Sequence, residues 1–124
     1  MVTRICSLVV RIGGSLALLL GLLRIFSIGP DLVQLHMTLG ILVVLALWIL
    51  ATIYARTPNA NLGMAIGASV IGLLLLIVGV TQQGLLLGGF HWVIQVIHVL
   101  LGLTVIGMGE SLAGAIRRAP PAFA

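Results

Sequence analysis

The chain alternates long apolar runs with short polar segments. Four runs are each long enough for the roughly 20 residues of a transmembrane helix, and glycine, proline and polar residues separate them. The alternation of apolar and polar positions that a membrane-spanning strand requires is absent from the sequence. The pattern therefore predicts four helices, over residues 6–27, 32–54, 62–80 and 90–116.

Composition identifies the solvent of these helices. The chain has 124 residues, of which 61% are hydrophobic and 6% are charged, and its mean hydropathy is +1.35. A soluble domain carries about 25% charged residues, so lipid must cover most of this surface. We expect an all-α integral membrane protein, with residues 1–124 forming one transmembrane domain, an up-down bundle of four transmembrane helices.

The positive charge of the chain indicates its orientation. The formal net charge is +4, with no lysine and no basic patch interleaved with aromatic residues, so nucleic acid is not an expected partner. An even number of spans places both termini on one side. Five of the six arginines lie on or toward that side: Arg4, Arg11, Arg56, Arg117 and Arg118. The positive-inside rule then predicts a multi-pass protein of the cell inner (plasma) membrane, with both termini cytoplasmic.

Two histidines form a repeated pattern. His36 and His98 are 62 residues apart, and each lies 20 residues, about 30 Å of helix, before an arginine, Arg56 or Arg118. The second and fourth helices run in the same direction, so the two imidazoles are expected at one depth. Imidazole is a common protein ligand of haem iron. We predict one haem b between these helices, with His36 and His98 as its two iron ligands.

A glycine follows each histidine at the same interval. Gly40 and Gly102 lie four residues after His36 and His98, and therefore on the same helix faces. A glycine at that position leaves a flat space in which a porphyrin can lie, so both are predicted cofactor-binding residues. The alternative is close helix packing, since the chain has 16 glycines.

Arg24 and His91 are two further candidates near the outer side. Arg24 is the only arginine expected there, and a guanidinium matches the haem propionates in charge and geometry, although it could simply anchor the helix at the interface. His91 lies seven residues before His98, on nearly the same face. It is a candidate second ligand, propionate partner or quinone-site residue, or an interfacial residue beside Trp92.

The remaining polar residues have simpler expected roles. Glu110 should pair with Arg117, Arg118 or another inner arginine, and Asp31 should cap the second helix. Cys6 is the only cysteine, which excludes the C-x-x-C-H attachment of a c-type haem.

The segments around the two histidines resemble a known family. "DLVQLHMTLG" around His36 and "FHWVIQVIHVLLGL" around His98 are similar to the corresponding parts of one four-helix half-unit of the haem A synthase family. The resemblance implies a haem-binding half-unit with one histidine in its second helix and one in its fourth. The family's catalytic half has an E-x-x-H-R pattern, where this chain has Val33 and Met37, and the paired outer cysteines are absent. These departures count against haem hydroxylation.

Three hypotheses follow. The first is a cofactor-binding or electron-transfer protein, as a homo-oligomer or as a subunit of a larger membrane redox complex, with the lipid bilayer and a quinone as partners. The second is a half-sized haem A synthase-like enzyme that works as a homodimer on haem O or haem A. The third is a non-haem membrane transporter or assembly subunit. The sequence leaves open whether the protein is an enzyme, and it identifies no catalytic residue.

Overall fold

A computed structural model describes residues 1–120, and those residues contain helices and turns but no strand. The last four residues of the predicted domain, 121–124, lie outside the described part. Four long helices follow one another along the chain: α1 (Val2–Ile25), α2 (Val33–Ala55), α3 (Leu62–Thr81) and α4 (His91–Arg118). All four are long and apolar enough to cross a membrane.

The helix bounds agree with the prediction for α2 and α3 to within one residue. α1 begins at Val2 rather than at Cys6, and it ends at Ile25 rather than at Ser27. α4 continues to Arg118, where a proline two residues later prevents extension. Asn61 starts α3, since its side chain accepts a hydrogen bond from the Met64 backbone N–H at 3.3 Å.

The two histidine-bearing helices form the centre of the bundle. α2 and α4 pack against each other and against both of the remaining helices. The fully buried side chains come mainly from these two: Val44, Leu47, Leu50, Val105 and Leu112, with Val10 from α1. The outer surface carries many exposed leucine, isoleucine and valine side chains. A surface of this kind suits contact with lipid and would favour aggregation in water.

α1 contains a π-helical segment, Val9–Gly13, that fixes its packing on α4. Val10 in this segment is fully buried, and a Cβ added to Gly109 would lie 2.6 Å from Val10 Cγ1, so this approach requires glycine. The next residue, Arg11, donates two hydrogen bonds to Glu110, from Nη2 at 2.6 Å and from Nε at 3.1 Å. Glu110 was expected to pair with Arg117, Arg118 or another inner arginine, and in the structure its ion-pair partner is Arg11.

Candidate functional site

The structure brings His36 and His98 together. The centres of the two imidazole rings are 6.0 Å apart, and the ring planes are inclined at 60°. His36 is the fourth residue of α2 and His98 is the eighth residue of α4, so both rings lie near the beginnings of the two central helices.

A backbone carbonyl of α1 orients the His36 ring. His36 Nδ1 lies 2.7 Å from the carbonyl oxygen of Ala17. A carbonyl oxygen can only accept, so Nδ1 carries the proton in this hydrogen bond. In the neutral imidazole the other nitrogen, Nε2, then keeps its lone pair. His36 is therefore held in the tautomer that can bind a metal ion through Nε2.

His98 lacks the corresponding hydrogen bond. Its Nδ1 is buried and has no hydrogen-bond partner in the described part of the chain. Leaving a buried polar atom without a partner costs about 1–3 kcal/mol, so proteins seldom retain one without a use for it. The Nδ1 atom of His98 is therefore available to bind a ligand.

Two glycines on the neighbouring helices make room for the rings. A Cβ added to Gly21 of α1 would lie 3.1 Å from His36 Cε1, and one added to Gly79 of α3 would lie 3.0 Å from His98 Cε1. Each ring therefore lies against a glycine of the preceding helix. Neither Gly21 nor Gly79 was among the predicted site residues. The sequence carries no signal for these contacts, because they depend on how each helix is rotated against its neighbour.

The two rings border a cavity of about 800 Å³, within the range of about 300–1,000 Å³ typical of ligand sites. Its wall is mostly apolar. All six residues predicted to bind a cofactor line it: Arg24, His36, Gly40, His91, His98 and Gly102. A Cβ added to Gly40 or to Gly102 would have no neighbour within 4 Å, so the space beside both glycines is open.

An ion pair also lines this cavity. Arg24 Nη1 donates to Asp31 Oδ1 at 2.6 Å, and the same oxygen accepts the Val33 backbone N–H at 3.1 Å. Asp31 therefore satisfies the first turn of α2, as expected of a capping residue, although Leu32 occupies the N-cap position. The hydrogen bond from Arg24, and secondly that from Val33, holds the pKa of the Asp31 carboxyl below its ordinary value.

His91 is set apart from the other two histidines. Its Nδ1 lies 3.2 Å from the carbonyl oxygen of Leu85, so its ring is fastened to the turn that precedes α4. It lines the cavity two helical turns, about 10 Å, before His98. The structure thus separates His91 from the pair of His36 and His98.

Within residues 1–120, no group of three or more histidine, cysteine or acidic side chains is arranged to hold a metal ion. The two imidazoles of His36 and His98 are therefore not joined, in this part of the chain, by a third histidine, cysteine or acidic side chain in a metal-binding arrangement. Comparison with protein families, curated proteins and solved structures finds no match to this chain.

Proposed function

We propose that the chain is a b-type haem-binding membrane protein, an up-down bundle of four transmembrane helices with His36 and His98 as the two iron ligands. The separation of the two rings carries the proposal. An imidazole nitrogen binds a metal ion at about 2 Å and lies about 1 Å from its ring centre, so two imidazoles on opposite sides of one metal ion have centres roughly 6 Å apart. The observed distance is 6.0 Å.

The hydrogen bonding of the rings supports the same assignment. A metal-binding histidine commonly donates its other ring N–H to a carbonyl or a carboxylate, which fixes its tautomer and orientation. His36 makes this hydrogen bond to Ala17. The buried Nδ1 of His98, which has no partner among the described residues, gives that ring a nitrogen free for coordination.

The space around the rings fits a flat macrocycle. The cavity holds about 800 Å³, and Gly40 and Gly102 leave it open beside the two histidines. A porphyrin supplies four nitrogen ligands, so two imidazoles complete six-coordinate iron without a third protein ligand. The residues present therefore fit this group.

The donor set favours electron transfer. When bound, a haem supplies a centre that gains and loses one electron at a time. His36 and His98 would both bind the iron, which would leave no position on it for a substrate, and the apolar wall would exclude water from the imidazoles. Val33 stands where the haem A synthase pattern has its glutamate, which further favours an electron-transfer or cofactor-binding subunit. A quinone or another subunit of a membrane redox complex would be its redox partner.

The proposed location is the cell inner membrane, with both termini in the cytoplasm. The four long apolar helices support insertion into a bilayer. The arginines concentrated toward one side support the orientation.

Haem reconstitution tests the proposal. Purified full-length protein, expressed with ample haem, should bind one haem b per chain and give the split-band reduced spectrum of a six-coordinate, low-spin cytochrome. Protein that folds as a helical bundle yet never acquires a Soret band would refute it.

A further inference from the structure

Arg24 and Asp31 are the two residues with formal charges that line the cavity. Gly21 lies against the His36 ring, and Arg24 is three residues further along α1. Residues three apart share a helix face, and three residues span about 4.5 Å. The guanidinium group is thus attached about one helical turn beyond the histidine pair, toward the turn between α1 and α2.

The contact between Arg24 and Asp31 is weak enough for Arg24 to leave Asp31 and bind another carboxylate. It is a single hydrogen bond of 2.6 Å, and the two side chains are 47% and 64% exposed. Exposed ion pairs of this kind are weak. A guanidinium has five N–H donors and binds a carboxylate best through two parallel hydrogen bonds, which this contact does not achieve.

We propose that Arg24 is a carboxylate-exchange residue: it holds Asp31 in the haem-free protein and donates to a propionate carboxylate of the haem in the loaded protein. This inference rests on the proposed function. Asp31 would keep the hydrogen bond from the Val33 N–H, so α2 would retain its first turn when Arg24 leaves. The exchange therefore costs the protein only the exposed contact.

The exchange should raise the pKa of the Asp31 carboxyl. In the haem-free protein Arg24 lowers the pKa of this carboxyl. Losing that cation and gaining an anionic neighbour both raise a carboxyl pKa. The other titratable groups lining the cavity are the histidines at positions 36, 91 and 98.

The sequence offers a direct probe of this change, because Asp31 is the only aspartate in the chain. Full-length protein labelled with ¹³C-carboxyl aspartate gives one resonance, whose titration midpoint is the pKa of Asp31. The measurement is made on the haem-free protein, with gallium(III) protoporphyrin IX as a diamagnetic substitute for haem, and with the dimethyl ester of that porphyrin. The acid form should raise the midpoint by roughly half a pH unit, and the ester, which has no propionate charge, should not.

Matched variants separate Arg24 from other arginines. Arg24→Gln should raise the midpoint in the haem-free protein and remove most of the further rise caused by the porphyrin. It should also weaken binding of ferric protoporphyrin by about threefold to fivefold, but leave binding of the ester unchanged. Arg56→Gln changes an exposed arginine outside the cavity and should have neither effect. Asp31→Asn retains an oxygen acceptor for the Val33 N–H, removes the competing charge, and should tighten binding.

The outcomes distinguish the two proposals. A low-spin haem spectrum together with an Asp31 midpoint unaffected by the porphyrin acid would overturn the exchange and leave haem binding intact. An unchanged midpoint in haem-free Arg24→Gln would also overturn it. Wild-type protein that binds neither iron nor gallium porphyrin would refute the proposed function itself.

Discussion

The imidazole of His36 lies edge-on to that of His98, with ring centres 6.0 Å apart. The two residues are 62 positions apart in the chain, and each ring lies against a glycine of the helix that precedes its own. The first half of the bundle, α1 with α2, thus presents one imidazole, and the second half, α3 with α4, presents the other. Of the two Nδ1 atoms, only that of His36 has a hydrogen-bond partner among the described residues. The two rings therefore border one shared cavity near the beginnings of α2 and α4.

The glycine behind His36 gives the first prediction. Gly21→Leu would place a side chain where the His36 ring now lies, because even a Cβ would be 3.1 Å from Cε1. The displaced ring should weaken haem binding by about 10-fold to 100-fold, as loss of a supporting contact does at other metal sites. Titration with haem, followed at the Soret band, measures the change. Gly107→Leu is the control, since Gly107 is exposed, has open space and does not line the cavity.

A side chain added at Gly102 should prevent haem binding without changing the stability of the haem-free protein. Gly102→Leu adds a side chain to open space, so the haem-free protein should keep its thermal stability while haem binding is lost. Thermal unfolding of the haem-free protein and haem titration should be run together on Gly102→Leu and Gly107→Leu. Equal haem affinity in the two variants would show that the space beside Gly102 is not the binding site.

The glycines around the two histidines show which parts of the site the sequence predicts. Gly40 and Gly102 could be predicted, because a residue four positions after a histidine shares its helix face. Gly21 and Gly79 could not, because their contacts depend on how each helix is rotated against its neighbour, and hydrophobic pattern does not fix that rotation in helices that are apolar on all sides. The sequence interpretation therefore found one wall of the site and missed the other.

The ion pairs could likewise be predicted only in part from the sequence. Glu110 was expected to meet an inner arginine, but the π-helical segment Val9–Gly13 determines that Arg11 is the one. Arg24 was expected to bind a haem propionate. In the structure it contacts Asp31 instead, and this contact depends on the path of the turn between α1 and α2. Local charge patterns identify which residues need partners, and the tertiary structure selects the partners.

The pairing of Arg11 with Glu110 gives a prediction on stability. Both residues lie within helices proposed to span the bilayer, where an unpaired charge is costly. Glu110→Gln and Arg11→Gln should each lower the unfolding temperature of the protein in lipid nanodiscs. The double variant should be no less stable than either single variant, because it leaves no charge without a partner. Additive losses would indicate that the two side chains do not interact.

Orientation can be tested independently of haem. Reporter fusions at Ala124 and within the 28–31 turn should report a cytoplasmic C-terminus and a turn on the opposite side, because the arginines are concentrated toward the termini. An active periplasmic reporter at Ala124 would reverse the assignment.

The most direct test of the central claim is the reduced-minus-oxidised spectrum of the wild type beside three histidine variants. The wild type should show a low-spin b-type spectrum. His36→Ala and His98→Ala should each lose haem or convert to a high-spin, five-coordinate form, because each removes one axial ligand. His91→Ala should retain most of the low-spin spectrum, since that ring is fastened to Leu85 and lies apart from the pair. A low-spin spectrum that survives in both His36→Ala and His98→Ala, or that is absent from the haem-supplied wild type, would contradict the account.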